Sequence, residues 1–282
     1  MVTAAEACRS ARAALAAAGI GDAAFDAAQL VNTVLGRDCR ACPDAPLDEA
    51  AAQTLAALVR RRAAHEPLQY LCGSWDFLDF TLRVGPGVLI PRADTECVCE
   101  AAIAAARAAQ PGAAVLDLCS GSGAIAIGAA RAVPAADVTA VELSAAALPY
   151  LRANTAALAP RVRCVQADVF GFEKALAPRS VDVLVCNPPY IAAAEMETLA
   201  PELSFEPRMA LVAADNGLAF YRYIAQNYRP ALKAGAAVVF EIGSAQGDAV
   251  RGILAQNGFA DIAVLPDAAG LPRCAKAQNG VY

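Results

Sequence analysis

Apolar residues recur at every third or fourth position over three stretches at the start of the chain. This spacing is typical of amphipathic helices, and the abundant alanine favours the helical state. Asp22 and Asp48 stand where N-caps are expected, and Gly19 and Gly36 stand where helices end. The pattern predicts helices over 3–18, 23–36 and 48–64. Together they indicate a small helical N-terminal domain over residues 1–73.

The pattern changes to alternation between residues 74 and 92. Phe80, Leu82 and Val84 alternate with other residues, and Gly85-Pro86-Gly87 is a turn signal. The apolar run Val88-Leu89-Ile90-Pro91 follows this turn. We therefore predict a β-hairpin over 74–92 that links two domains.

From residue 93 onward, short apolar runs alternate with helical patterns. Helices are predicted near 94–109, 123–132, 144–157 and 217–233. Strands are predicted near 115–118, 137–142, 161–166, 181–186, 236–242, 259–265 and 275–281. Such βα alternation is typical of a doubly wound α/β fold. Residues 93–282 are thus predicted to form a mostly parallel, seven-stranded, Rossmann-like sheet.

A glycine-rich loop joins the first of these strands to the next helix. The loop runs from Asp117 to Gly123, and Gly121-x-Gly123-x-x-Ala126 satisfies the dinucleotide fingerprint in its Ala-ending form. Glu142 ends the next strand, 19 residues after Gly123. An acidic side chain there can accept hydrogen bonds from ribose hydroxyls. At this point NAD and S-adenosylmethionine fit equally well.

The charge of Asp117 separates the two cofactors. NAD carries a pyrophosphate, which Asp117 would repel, whereas S-adenosylmethionine carries an ammonium and a sulfonium, which it would attract. Asp168 ends the third strand and is placed to accept a hydrogen bond from an adenine amino group. A single acid at a strand end is often only solvated, but three at successive strand ends indicate a site. The sequence therefore predicts S-adenosylmethionine as the cofactor.

The fourth strand is followed directly by Asn187-Pro188-Pro189-Tyr190. Ligands in open α/β sheets bind beyond the carboxyl ends of the strands. Asn187 can accept a hydrogen bond from a planar amide or amino nitrogen, and the Pro188 carbonyl can accept a second one. The paired prolines restrain the backbone, and Tyr190 can stack against a planar group. Asn187, Pro188 and Tyr190 are therefore predicted catalytic residues of a nitrogen methyltransferase.

Several motifs together resemble the release factor glutamine methyltransferase family over nearly the whole chain. They are the glycine-rich loop, the Asn-Pro-Pro-Tyr motif, and the segments Arg62–Gly73, Val88–Glu96 and Glu206–Leu211. The Asn-Pro-Pro-Tyr motif alone is shared with adenine-specific DNA and RNA methyltransferases. The Leu89-Ile90-Pro91-Arg92 segment is more particular to this family.

The resemblance implies a substrate and a set of contacts. The substrate is the glutamine of the Gly-Gly-Gln motif of peptide chain release factors, which the N-terminal helices help to bind. The substrate contacts it implies are Asn187, Pro188, Pro189 and Tyr190. The cofactor contacts it implies are Cys119, Ser120, Gly121, Ser122, Gly123, Glu142, Asp168, Val169 and Asn187. Asp117, which the charge argument selected, is predicted to join them. The hairpin reads Phe77-Leu78-Asp79-Phe80, where the family often has a glycine.

Composition and charge narrow the alternatives. The formal net charge of −5 disfavours a long phosphate footprint, and therefore direct binding to nucleic acid. Ten scattered cysteines are interpreted as reduced residues, and no metal site is predicted. The chain lacks an apolar run of ~20 residues that could span a membrane, so we expect a cytoplasmic protein. A nucleic-acid methyltransferase, a ribosomal-protein glutamine methyltransferase and an inactive docking protein remain as alternatives.

Two further features are expected to be structural rather than functional. The run Arg60-Arg61-Arg62 is expected to be a solvated helix end that suits the helix dipole, although it could contact an acidic partner. His65, the single histidine, is expected to make a structural hydrogen bond rather than to act as a base.

Overall fold

The computed structural model describes residues 2–109, 111–198 and 200–280. The chain forms two compact units. The first comprises Met1–Trp75, Val84–Pro86 and Ala200–Phe205, and the second comprises Asp76–Arg83, Gly87–Leu199 and Glu206–Tyr282. The boundaries predicted at residues 73 and 92 stay a prediction. No helix within the described ranges has the length and apolarity that a membrane span needs.

The first unit is built on the three predicted helices, whose bounds lie within one or two residues of the expected ones. Asp22 and Asp48 cap α2 and α3 by accepting hydrogen bonds from backbone amides, and Thr3 forms a capping box with Glu6 at the start of α1. Two very short strands and one short helix were too brief for periodicity to reveal. The elements are β1 (Val2–Thr3), α1 (Ala4–Ala17), α2 (Ala23–Leu35), β2 (Pro46–Leu47), α3 (Glu49–Ala63) and α4 (Leu68–Cys72).

Arg62 corrects the expectation of a wholly solvated arginine run. Its side chain is buried at the end of α3 and forms an ion pair with Asp26 of α2, with Nε and Oδ2 2.7 Å apart. It also donates to Glu202 at 3.1 Å, and the same Glu202 oxygen lies 3.2 Å from His65 Nδ1. His65 thus makes the structural contact expected of it. Helical periodicity places Arg62 on the inner face of α3, where its charge needs a partner.

We expect Asp26→Asn to lower the free energy of unfolding of the first unit by about 3 kcal/mol, because it leaves Arg62 buried without its closest carboxylate. Denaturant unfolding followed by circular dichroism measures the change. The neighbouring Arg60→Ala is the control, since Arg60 is exposed and should be nearly neutral. The double variant Asp26→Leu/Arg62→Met should recover much of the loss. A fully stable Asp26→Asn protein would contradict this account.

The hairpin was predicted, but its turn lies elsewhere than expected. Strands β3 (Ser74–Phe77) and β4 (Phe80–Arg83) are joined at Leu78 and Asp79, not at Gly85-Pro86-Gly87. Leu78 takes a left-handed conformation with φ of +50°. The turn was missed because no glycine marks it, although such a φ favours glycine. The run Val88-Leu89-Ile90-Pro91 is irregular rather than a strand.

The second unit contains the predicted seven-stranded sheet. The strands are β5 (Ala114–Leu118), β6 (Asp137–Glu142), β7 (Arg163–Gln166), β8 (Val181–Cys186), β9 (Leu232–Glu241), β10 (Phe259–Pro266) and β11 (Pro272–Asn279). Their order is β10-β11-β9-β8-β5-β6-β7. β7, β6, β5, β8 and β9 are parallel, and β11 is antiparallel to both of its neighbours. This confirms the fold class.

Helices flank the sheet, and most were predicted with small shifts. The helices are α5 (Asp94–Ala108), α6 (Ala124–Ala132), α7 (Leu148–Leu158), α8 (Val169–Phe172), α9 (Arg208–Leu211), α10 (Ala219–Asn227) and α11 (Gly247–Gln256). The helix expected over 217–233 ends earlier, at Asn227, and a short turn at Arg229–Ala231 leads into β9. The short helices α8 and α9, and the longer α11, were not predicted.

Both faces of the sheet are covered. Leu116 and Leu118 belong to a buried cluster with residues of α10 and α11. The alternate residues Val115, Val183 and Val185 are buried as well, and α5 and α6 contact the central strands. Because both faces are buried, the central strands read as continuous apolar runs rather than as alternating ones.

The order of the strands creates a switch point between β5 and β8. The chain passes from β5 to β6 and β7 on one side, then returns to β8 on the other side. Leu118 pairs with Cys186, so the glycine-rich loop and the Asn-Pro-Pro-Tyr motif leave the sheet side by side. Ligands of open α/β sheets bind at such a point.

Candidate active site

A cavity of about 350 Å³ lies beyond the carboxyl ends of β5, β6 and β8. Its floor includes the glycine-rich loop, and its walls include Asn187, Glu142 and Asp168. The segment Leu89–Pro91 and residues around α9 complete it. The volume is typical of small-molecule sites, which are mostly apolar with a few convergent polar groups.

The glycine-rich loop needs its glycines for conformation and for close packing. Gly121 and Gly123 have positive φ values of +54° and +90°, and a Cβ on Gly123 would lie 2.8 Å from Leu151 Cδ1. Cys119 also takes a left-handed φ of +58°, which is uncommon outside glycine. The loop is thus held in a strained path that carries its backbone under the cavity.

Asp117 is the most unusual charged group of the site. It is buried, and its Oδ2 accepts a hydrogen bond from the Ala126 amide at 3.2 Å. Among the described residues, Oδ1 has no hydrogen-bond partner. Burial raises the pKa of Asp117 to about 7, although hydrogen bonds from Ser120 and Ala126 oppose the shift. A buried, unpaired carboxylate oxygen at a cavity wall suits a cationic ligand group.

The acids at the ends of the next two strands are also tied to the backbone. Glu142 accepts from the Gly121 amide at 2.8 Å and from the Ser144 amide at 2.7 Å, so it braces the glycine-rich loop. Asp168 is exposed and accepts from the Phe170 amide at 2.9 Å. Each carboxylate retains lone pairs that can accept from a ligand.

The Asn-Pro-Pro-Tyr motif is fixed from several sides. Asn187 is half-buried and donates from Nδ2 to Thr95 Oγ1 at 3.3 Å. The Tyr190 carbonyl accepts from Gln246 Nε2 at 2.9 Å, and its hydroxyl donates to Glu241 Oε1 at 3.4 Å. Burial raises the pKa of Tyr190, so its hydroxyl stays protonated near neutral pH.

The segment that precedes α5 forms a wall of the cavity through a buried carboxylate. Glu206 accepts from the Ile90 amide at 3.0 Å and pairs with Arg92. At Ile90 the backbone amide therefore donates to a side chain rather than to a neighbouring strand. Pro207, which follows Glu206, lies on the cavity wall as well.

The structure brings most of the predicted site residues to this cavity. Those that line it are Asp117, Cys119, Ser120, Gly121, Ser122, Glu142, Asp168, Val169, Asn187 and Pro189. Gly123, Pro188 and Tyr190 are not among the residues that line it, and Tyr190 packs partly buried against the core. The stacking role of Tyr190 therefore stays a prediction that would require its ring to reach the ligand.

Sequence reasoning missed several residues that shape the site. Phe170 is 42% exposed, packs with its ring centroid 4.8 Å from that of Phe220, and both rings line the cavity. Thr95 contacts Asn187 across 92 positions of sequence, and Glu241 reaches Tyr190. An acid at the end of the apolar strand β9 was a readable signal for Glu241; nothing local marked Thr95.

Comparisons with known proteins agree with this architecture. The family model described as the PrmC N-terminal domain matches residues 6–73, and that of the methyltransferase small domain matches residues 101–233. A crystal structure of a methyltransferase from Pyrococcus furiosus is similar with a TM-score of 0.53 and 16% identity. It covers 71% of this chain and 89% of that chain, which is a likeness of fold alone.

Curated relatives extend over almost the whole chain. A release factor glutamine methyltransferase from Cereibacter sphaeroides is 42% identical, with 98% of each chain covered. One from Geobacter sulfurreducens is 36% identical, with 94% of this chain and 93% of the relative covered. Similarity of this extent, through both units and the site, shows that the chain belongs to the release factor glutamine methyltransferase family.

Proposed function

We propose that this protein transfers a methyl group from S-adenosylmethionine to the side-chain amide nitrogen of the glutamine in the Gly-Gly-Gln motif of release factors, in the cytoplasm. The observation that carries the proposal is one cavity with two features. The cavity is lined by Asp117, whose buried Oδ1 has no hydrogen-bond partner among the described residues, and by the side-chain amide of Asn187. The first suits a cationic cofactor, and the second suits a planar amide substrate.

The residues present fit S-adenosylmethionine better than a dinucleotide. Asp117 would hold its ammonium group, and Glu142 would accept from the ribose hydroxyls with its remaining lone pairs. Asp168 would accept from the adenine amino group, with Phe170 and Phe220 as an apolar wall for the base. A pyrophosphate near Asp117 would meet a carboxylate, so the same pocket disfavours NAD.

When bound, the cofactor supplies a methyl group attached to a sulfonium sulfur, and the rest of the cofactor is the leaving group, a neutral thioether. Asn187 would accept a hydrogen bond from the N–H of the substrate amide and so turn the nitrogen toward the methyl carbon. The Pro188 carbonyl would accept a second such bond, with its position restrained by the paired prolines. Alignment of this kind provides much of the rate in transfer reactions. The proton that the nitrogen loses goes to solvent.

The identity of the substrate rests on the relatives. They are named release factor glutamine methyltransferases, and their similarity includes the helical first unit. We propose that this unit contributes to binding the release factor. The net charge of −5 supports a protein substrate rather than a nucleic acid.

The decisive experiment is a methylation assay with labelled S-adenosylmethionine and purified release factor. We expect label on the release factor, and mass spectrometry should map a single methyl group to the glutamine of its Gly-Gly-Gln motif. A release factor with that glutamine changed to alanine is the matched control and should remain unlabelled. Label on a ribosomal protein, DNA or RNA in place of the release factor would replace the proposed substrate with that one.

A further inference from the structure

Gln246 is a polar side chain that the proposed chemistry leaves without a role. It stands directly before α11, in the loop that follows β9, and is not among the described residues that line the cavity. Both ends of its side-chain amide nevertheless have partners. Oε1 accepts from the Gly243 amide at 3.0 Å, and Nε2 donates to the Tyr190 carbonyl at 2.9 Å. Gln246 therefore ties the loop after β9 to the last residue of the Asn-Pro-Pro-Tyr motif.

The orientation of the Gln246 amide follows from these partners. A backbone N–H group can only donate, so the Gly243 amide faces the side-chain oxygen of Gln246. The nitrogen end then points to the Tyr190 carbonyl, which can only accept. The loop after β9 thus fixes Gln246 as a donor to the motif. A glutamate of the same shape would keep the bond from Gly243 but would set a carboxylate oxygen against that carbonyl.

A second contact is made with the same carbonyl by Gly217. A Cβ on Gly217 would overlap the Tyr190 carbonyl oxygen and would lie 2.7 Å from Gln246 Nε2, so only glycine leaves room for both. The turn that brings Gly217 there has three successive left-handed residues, with φ of +55° at Asp215, +51° at Asn216 and +83° at Gly217. Such φ values are costly outside glycine, and strain of this kind collects at functional sites.

The paired prolines carry the position of the Tyr190 carbonyl back along the motif. Each proline locks its own φ at about −65°, and the residue before a proline is restricted as well. The segment from Asn187 to Tyr190 is therefore short and stiff. Its start is held by the sheet, where Cys186 of β8 pairs with Phe240 of β9. Its end is held by Gln246, so a shift there must be shared by the residues between.

We propose that Gln246 is a positioning residue: together with Gly217 it fixes the Tyr190 carbonyl and, through the two prolines, the acceptors of Asn187 and Pro188. The inference rests on the proposed function, because it assigns the contact that keeps those acceptors aligned with the methyl carbon. Since Gln246 is not part of the cavity lining, its loss should alter alignment more than binding.

Two substitutions of Gln246 test this role in the full chain. Gln246→Met keeps the length of the side chain but removes both hydrogen bonds, and we expect kcat to fall by about 10-fold. Gln246→Glu adds repulsion from the Tyr190 carbonyl, and we expect a fall of about 10²-fold, the effect of misplacing a reacting group by ~1 Å. The Kd for S-adenosylmethionine from calorimetry should stay within about threefold in both variants.

The matched control for these variants is Gln256→Met, because Gln256 is exposed at the other end of α11. It should keep full kcat. A merely structural role of Gln246 would lower Tm without separating kcat from Kd, and that result would overturn the proposal. Full kcat in Gln246→Met would overturn it as well.

A pair of glycines tests the same contact from the opposite side. Gly217→Ala drives a Cβ toward the Tyr190 carbonyl, and we expect kcat to fall at least as far as in Gln246→Met. Gly270→Ala is the matched control: Gly270 has nearly the same φ, +82°, but a Cβ there would meet nothing within 4 Å. Both variants should lower Tm, and only Gly217→Ala should lower kcat. An equal loss of kcat in both, or a loss in neither, would contradict the proposal.

The hydrogen bond itself can be read at the Tyr190 carbonyl. Labelling with [1-¹³C]tyrosine and ¹⁵N-isoleucine selects the two Tyr–Ile pairs of the chain, Tyr190-Ile191 and Tyr223-Ile224. The Tyr190 carbonyl signal should move upfield in Gln246→Met, because the carbonyl loses its donor. The Tyr223 signal, from α10, should stay constant. An unchanged Tyr190 signal would show that Gln246 does not hold the motif.

A second spectroscopic readout separates this inference from the proposed function, since it needs no substrate. In protein labelled with ¹⁵N-asparagine, the Asn187 side-chain signal is identified by its loss in Asn187→Ala. We expect that signal to move in Gln246→Met and to stay in place in Gln256→Met. An unmoved signal in Gln246→Met would overturn the inference even if release factor is methylated. A moved signal in a protein that methylates no release factor would sink the proposed function alone.

Discussion

Asp117→Asn is expected to weaken binding of S-adenosylmethionine by about 10- to 100-fold, because a hydrogen bond to a charged group contributes roughly 1.5–3 kcal/mol. The same substitution should not destabilise the free protein above pH 7. Its amide oxygen can still accept from the Ala126 amide, and it removes a buried carboxylate whose Oδ1 has no partner among the described residues. Isothermal titration calorimetry and thermal unfolding measure the two effects.

The effect of Asp117→Asn on thermal stability should depend on pH. Since burial raises the pKa of Asp117 to about 7 from 3.8, the protonated form is the one that the free fold favours. The protonated Asp117 carboxyl stabilises the fold to its full extent below pH 3.8, and this stabilisation is lost as the pH rises through about 7. The Tm of Asp117→Asn relative to wild type should therefore increase over that window.

Cofactor binding should release a proton from the same group. A bound ammonium lowers the pKa of Asp117, so at pH 6 wild type should release close to one proton, detected by calorimetry in two buffers of different ionisation enthalpy. Asp117→Asn should lose this release. Asp182→Asn is the contrasting control, because Asp182 pairs with Lys233 away from the cavity: it should lower stability and leave affinity unchanged. Unaltered cofactor affinity in Asp117→Asn would remove Asp117 from the proposed site.

Asn187→Ala should reduce kcat/KM for release factor by about 10²–10³-fold, the usual effect of removing one oriented hydrogen-bonding group from a reacting centre. The substitution removes the proposed acceptor for the substrate amide and the Asn187 donor to the Thr95 hydroxyl. Asn187 is itself an expected cofactor contact, but Asp117, Glu142 and Asp168 are untouched, so the affinity for the cofactor should fall much less than kcat/KM. Initial rates of methylation together with calorimetric Kd values separate the two steps.

Two further variants test the role of the Asn187 side chain. Asn187→Asp keeps an acceptor but cannot donate to Thr95 when ionised and adds a charge near Glu241, so it should be as inactive as Asn187→Ala. Asn227→Ala is the control, since the Asn227 side chain in α10 donates to the Tyr223 carbonyl and Asn227 lies outside the cavity lining. Full methylation by Asn187→Ala would contradict the mechanism.

The sequence revealed the chemical groups of the candidate site better than the contacts that hold those groups in place. Asp117, Glu142 and Asp168 each follow an apolar run, and strand ends are visible as the points where such runs stop. The cavity brings all three together with Asn187. By contrast, Leu78 occupies a left-handed turn without any glycine to announce it, and the hairpin turn was therefore misplaced. Arg62 was misjudged because a run of three arginines looks solvated, while helical periodicity turns one of them inward.

The sequence by itself determined the fold class, the glycine-rich loop and the Asn-Pro-Pro-Tyr motif, because hydrophobic periodicity and short motifs are local properties of the chain. Only the tertiary structure decided which strand ends adjoin, and therefore that β9 delivers Glu241 beside Tyr190 while α5 delivers Thr95 to Asn187. Those contacts depend on strand order and burial, which no window of neighbouring residues contains. The motif predicted the kind of nitrogen that the site would hold, and the fold added the buried contacts that fix Asn187 and Tyr190.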